Sequence, residues 1–181
     1  MIMKIAIGTD HRGYALKEQI KQHLHIADHA IIWNDCGAFH ADRSDYPIFA
    51  SLVCQTILTQ QAERGVLLCG SGIGMSIAAN RFADIYAGLV WNADLARLSR
   101  TDDNCNVLVI AADFCDEKLA LALMQWYLKS SSTNYTMAIY MACARSMLQK
   151  LLICHVNGST LIKHKHSSHN CKITLPMHGI S

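Results

Sequence analysis

Two hydrophobic rhythms alternate along the first 129 residues. Short, nearly continuous apolar runs occupy 4–8, 30–33, 65–68, 85–90 and 106–111, the pattern of strands buried in a parallel sheet. Between them, apolar positions recur at helical spacing. Leu16, Ile20 and Leu24 predict a helix over 14–24, and Leu119, Leu123, Trp126 and Tyr127 predict one over 116–129. Pro47 opens a further helix running to about 61, as proline does at a first turn, and shorter helices are expected over 75–80 and 94–100. Strands alternating with helices predict a three-layer α/β/α fold, Rossmann- or flavodoxin-like, with a five-stranded parallel sheet and right-handed crossovers. In a flavodoxin-like strand order the first and third strands adjoin at the switch point, and ligands sit outside their carboxyl ends.

The third strand ends in the most distinctive stretch of the chain, G-V-L-L-C-G-S-G-I-G-M-S-I-A-A-N over 65–80. The apolar run delivers Cys69 to the top of the strand, and a turn broken by Gly70, Gly72 and Gly74 follows before a helix resumes. Amides of such a turn favour a phosphate or a developing oxyanion, and the same field favours a thiolate, so Cys69 is a candidate base or nucleophile. The turn lacks the lysine of a P-loop, and its G-x-G-x-G spacing is not a dinucleotide fingerprint. A tight turn beside an inert buried cysteine is the competing reading. Asp10 and His11 follow the first strand, where chemistry would also lie, although Asp10 could cap a helix and His11 could be a solvated loop residue. With 101–104 before the fifth strand, three segments are expected to converge on one crevice.

Composition narrows the options. At 181 residues and 51% apolar, the chain can bury a real core, and no apolar run approaches the ~18 residues a bilayer requires, so no membrane partner is expected. Residues 1–8 lead directly into a strand, not a signal peptide, which predicts a cytoplasmic protein with reduced thiols; the eight cysteines form no CxxC pair. Up to Ser130 the charge is 11 basic against 14 acidic residues, or −3, which argues against nucleic acid as a partner. The final 51 residues hold five Lys or Arg, five His and no acid. We therefore divide the chain into a catalytic domain over 1–129 and an atypical basic tail over 130–181, containing one Met-rich helix and a flexible end. The tail's His164, His166, His169 and Cys171 do not fit zinc spacings, and no metal is expected.

T-D-H-R-G-Y at 9–14, R-S-D-Y-P at 43–47, L-C-G-S-G-I-G-M-S-I-A-A-N at 68–80, A-R-L-S-R at 96–100 and N-V-L at 106–108 together resemble the ribose-5-phosphate isomerase B family, which also contains galactose-6-phosphate isomerase subunits. The resemblance implies aldose–ketose isomerisation of a sugar phosphate through a cis-enediolate without cofactor, in a homodimer or homotetramer whose subunits share active sites. It implies Cys69 as the base, Ser71 as a proton relay, and the turn of Gly70, Gly72, Ile73 and Gly74 as the enediolate's binding site. Asp10 would bind substrate hydroxyls, His11 the phosphate, and Tyr46 would line the pocket. Three departures stand out. Asp102 and Asp103 occupy the place of a His-Asn pair that opens the sugar ring, so Asp102 becomes the candidate ring-opening base and Asp103 a substrate contact. Asp113 stands near where an arginine is usual, and no cationic G-G-R-H-x-x-R-like segment follows Lys129. Ribose 5-phosphate is the leading substrate; a hexose 6-phosphate such as allose or galactose 6-phosphate, or a catalytically weak sugar-phosphate-binding subunit, are the alternatives.

Overall fold

The computed structural model describes residues 2–131. Five strands alternate with five helices: β1 (Ile2–Thr9), α1 (Tyr14–His23), β2 (Ala30–Asp35), α2 (Tyr46–Leu58), β3 (Arg64–Cys69), α3 (Ile73–Ala79), β4 (Ala87–Val90), α4 (Ala93–Thr101), β5 (Val107–Ala111) and α5 (Glu117–Lys129). All strand pairs are parallel, as the near-continuous apolar runs require. The tail over 132–181, with its Met-rich segment and histidines, lies outside the described residues.

The sheet order is β2-β1-β3-β5-β4. The α/β fold and the β1–β3 adjacency match expectation, but the last two strands are exchanged relative to the flavodoxin-like order. Burial explains the exchange. β5 has four fully covered residues, Val107 to Ile110, and takes an inner position, whereas β4 is four residues long with only Val90 buried and suits an edge.

Alternation along the three inner strands builds a core on each face. Ile5, Ile7, Val66, Leu68, Leu108 and Ile110 face α1 and α5, packing with Leu16, Ile20, Leu123 and Met124. Ala6, Leu67, Cys69, Val107 and Val109 face α2 and α3, packing with Val53, Cys54 and Met75. Cys69 thus belongs to the second face.

Two ionic devices hold the periphery. Lys17, fully buried on α1, donates from Nζ to Asp35 Oδ1 and Oδ2 at 2.7 and 2.9 Å and to the Ala38 carbonyl at 2.7 Å. Asp35 also accepts the Gly37 N–H at 2.9 Å, and that loop pairs with β1 through Thr9 N–H to Gly37 O at 2.7 Å. Burial alone would raise the Asp35 carboxyl, but hydrogen bonds from Lys17, Lys21 and the Gly37 amide overcome it and hold the group below its ordinary value. At the opposite edge, Arg64 caps α5 by donating to the carbonyls of Tyr127, Leu128 and Ser130 at 2.7, 2.9 and 3.1 Å. Tyr127 is fully buried, with the guanidinium carbons of Arg64 and Arg100 5.5 and 5.9 Å from its ring centre.

Replacing Lys17 by Met leaves Asp35 its bonds from Lys21 and the Gly37 amide but strips the Ala38 carbonyl of its Lys17 donor, and should cost about 1–3 kcal/mol in urea unfolding. The acid limb carries its own signature. A carboxyl whose folded value lies below its unfolded one stabilises fully above the unfolded value, and that stabilisation is lost as pH falls through the folded one. Between neutral pH and about pH 3, Asp35→Asn should therefore lose less melting temperature than the parent chain.

Candidate active site

Strand register assembles the site. Thr9 lies opposite Leu68, and Cys69 opposite Ala111, so Asp10, the Cys69–Gly70 step and the segment from Ala112 to Asp113 emerge side by side at the carboxyl edge. Gly70 O accepts the Asp113 N–H at 3.0 Å, locking two of these loops together.

After β1, Asp10 is only 6% exposed, and its Oδ1 accepts the Arg12 N–H at 3.0 Å. The carboxylate closes this turn and does not cap α1, whose N-cap is Gly13 with no side-chain cap bond. His11 is not a free loop residue either. Its N–H donates to Ser44 Oγ at 3.0 Å, and its Nδ1 lies 3.2 Å from the Ser44 carbonyl and 3.3 Å from the Ser44 amide, so the ring is pinned whichever tautomer it adopts. Both ring contacts engage Nδ1.

After β3, Cys69 is buried, with 4% exposure, at the mouth of the glycine turn. Gly72 sits at φ +75°, a left-handed conformation, and a Cβ there would also come within 2.4 Å of Leu89 Cδ1. The turn swings directly into α3 at Ile73, two residues before the expected start. Ser71 is exposed, and its Oγ accepts the Ile73 N–H at 3.4 Å. Gly70 admits a close neighbour: a Cβ would lie 2.5 Å from Arg12 Nε and 2.6 Å from Cζ. Tyr46, at the start of α2, lays its ring against Gly74, where a Cβ would be 2.7 Å from Cζ. Gly70, Gly72, Ile73 and Gly74 are thus flanked by Arg12 at one end and Tyr46 at the other.

Burial pushes Cys54 up to about 12 and Cys105 up to about 11, so both stay protonated near neutrality. Among the described residues, no group of three or more His, Cys, Asp or Glu side chains gathers to hold a metal ion.

One expectation needs correction. Asp102 and Asp103 follow α4 and precede β5, so they belong to the amino edge of a parallel sheet. The five-residue β5, roughly 16 Å long, separates them from the edge that carries Cys69. Both are exposed, and Asp102 accepts a hydrogen bond from Thr101 Oγ1 at 2.7 Å. Within one chain they do not join Asp10, His11 and Cys69. Conversely, Arg12, Ser44 and Asp113 acquire contacts at the site that spacing does not reveal, because their partners lie 33 to 101 positions away.

Known proteins match this chain in sequence and in fold. Residues 5–139 fit the sequence model of the family described as Ribose/Galactose Isomerase. The chain belongs to that family. It is 37% identical over 125 residues to ribose-5-phosphate isomerase B of Escherichia coli K12, covering 69% of this chain and 83% of that protein. A protein of the same name from Mycobacterium leprae is 38% identical over 109 residues, 60% of this chain and 66% of its relative. Among solved structures, a ribose 5-phosphate isomerase of Thermotoga maritima matches at 37% identity with a TM-score of 0.73, over 77% of this chain and 95% of its own. Ribose-5-phosphate isomerase B of Clostridium thermocellum matches at 32% with 0.74, over 82% and 99%. This ribose/galactose isomerase family member therefore has the sugar-phosphate isomerase architecture.

Gly72→Ala should lose about 1–2 kcal/mol from its left-handed backbone alone, read as a lowered urea midpoint. The contact with Leu89 adds to that loss.

Proposed function

We propose that the chain interconverts ribose 5-phosphate and ribulose 5-phosphate, with Cys69 as the base and without a cofactor. The observation carrying this reading is the register that sets a buried Cys69, the amides of its glycine turn and the buried Asp10 at one sheet edge. In the aldose-to-ketose direction the Cys69 thiolate takes the proton from C2 of the open-chain sugar. The electron pair moves into a C1–C2 double bond, giving a cis-enediolate whose negative oxygen the amides of 70–74 bind. Cys69 returns the proton to C1, and Ser71 relays the hydroxyl proton from O2 to O1. Asp10 accepts hydrogen bonds from substrate hydroxyls, Tyr46 walls the pocket, and His11, held through Nδ1, offers Nε2 to the phosphate.

Ring opening by Asp102, with Asp103 beside it, requires a second copy of the chain, since a single chain keeps them at the other edge. Exposed Ile48 and Leu52 on α2, and Ile73 and Ile77 on α3, next to the turn, support a homodimer or homotetramer with shared sites. Among the described residues no helix is long and apolar enough to cross a membrane, and we place the activity in the cytoplasm.

Cys69→Ala should lower kcat/KM for ribose 5-phosphate by about a hundred- to ten-thousand-fold. It should also abolish deuterium uptake at the carbon that exchanges in heavy water. Turnover of a hexose 6-phosphate in preference to the pentose would redirect the substrate assignment. Sugar phosphate binding without Cys69-dependent exchange would leave a binding subunit, a reading that the unmatched acids Asp102 and Asp103 favour.

A further inference from the structure

Arg12 and Asp113 come from loops after β1 and β5 and meet above Gly70. Arg12 Nε donates to Asp113 Oδ1 at 3.3 Å and Nη2 bonds Oδ2, a two-pronged guanidinium–carboxylate pair. Both residues are tied by their backbones to the site itself, the Arg12 amide to the buried Asp10 carboxylate and the Asp113 amide to the Gly70 carbonyl. The guanidinium packs directly over Gly70, where a Cβ would lie 2.5 Å from Nε and would have to push the pair aside. Yet the pair is open, with side-chain exposures of 56% and 30%. Arg64 and Arg100 differ: Arg64 donates to three backbone carbonyls at the end of α5, and Arg100 is buried with Nη1 on the Cys105 carbonyl.

We infer that Arg12 is the cation this site offers to the phosphate of its substrate, and that Asp113 is the counter-ion the phosphate displaces, so the pair sets affinity for phosphorylated sugars. The inference rests on the proposed sugar-phosphate reaction and adds a specificity device to it. A guanidinium fork fits a phosphate as well as a carboxylate, and a phosphate near neutrality carries up to twice the charge. An exposed pair is weak enough to exchange partners. Once displaced, the Asp113 carboxylate remains beside the bound anion and repels it. Asp113 therefore weakens phosphate binding in two ways, by occupying Arg12 beforehand and by opposing the anion afterwards.

The test titrates inorganic phosphate into the full chain by calorimetry, with circular dichroism establishing that each variant is folded. Asp113→Asn should bind phosphate about tenfold more tightly, and Arg12→Gln about tenfold more weakly. Arg12→Lys should retain part of the binding, and Arg12→Gln combined with Asp113→Asn should bind no more tightly than Arg12→Gln alone. With ribose 5-phosphate, Asp113→Asn should lower KM by a similar factor while kcat stays within about twofold. An unchanged phosphate affinity in Asp113→Asn, or a gain that survives loss of Arg12, overturns the inference. Because the titration needs no turnover, absence of isomerisation would defeat the proposed reaction and leave this result standing. Cys69-dependent turnover with an unaltered KM in Arg12→Gln would defeat the inference alone.

Discussion

Parallel pairing of β1, β3 and β5 is the constraint on which the site depends. Thr9 is set opposite Leu68, and Cys69 opposite Ala111, by ladder hydrogen bonds buried between two apolar layers. A slip of one residue would turn Cys69 from the α2–α3 face to the α1–α5 face and move Asp10 off its turn. Chemistry at this edge is therefore positioned by burial of Ile5, Leu67 and Val109 at the sheet centre, residues that touch no substrate.

Charge is used in two manners. Lys17 is buried beside Asp35, and the pair shapes backbone: the Ala38 carbonyl and the Gly37 amide are both recruited. Where charge is open, as in Arg12 with Asp113, it stays exchangeable. The first kind holds the loop that leads toward Ser44 and so toward His11, while the second lies on the turn itself.

Much of this was legible in the chain, because buried parallel strands announce themselves as continuous apolar runs and a thiol followed by G-x-G-x-G has few structural uses. Asp10, His11 and the glycine turn could be placed together from the β1–β3 switch point alone. The exchange of β4 and β5 could not, since it depends on relative burial, which a short run such as Ala87–Val90 does not reveal. Placing Asp102 with Cys69 within one chain failed for a directional reason: in a parallel sheet the residues before a strand and those after its neighbour lie at opposite edges. The pairing of Arg12 with Asp113 escaped notice because an ion pair across 101 positions leaves no periodic trace.

The Arg64 cap fixes where the chain leaves the described fold. Arg64 begins β3, and it grips the carbonyls of Tyr127, Leu128 and Ser130 at the end of α5, so the backbone departs from the amino edge of the sheet. The glycine turn opens at the other edge. A fluorophore attached at Ser130 would consequently report on the edge opposite the glycine turn, far from any event at Cys69.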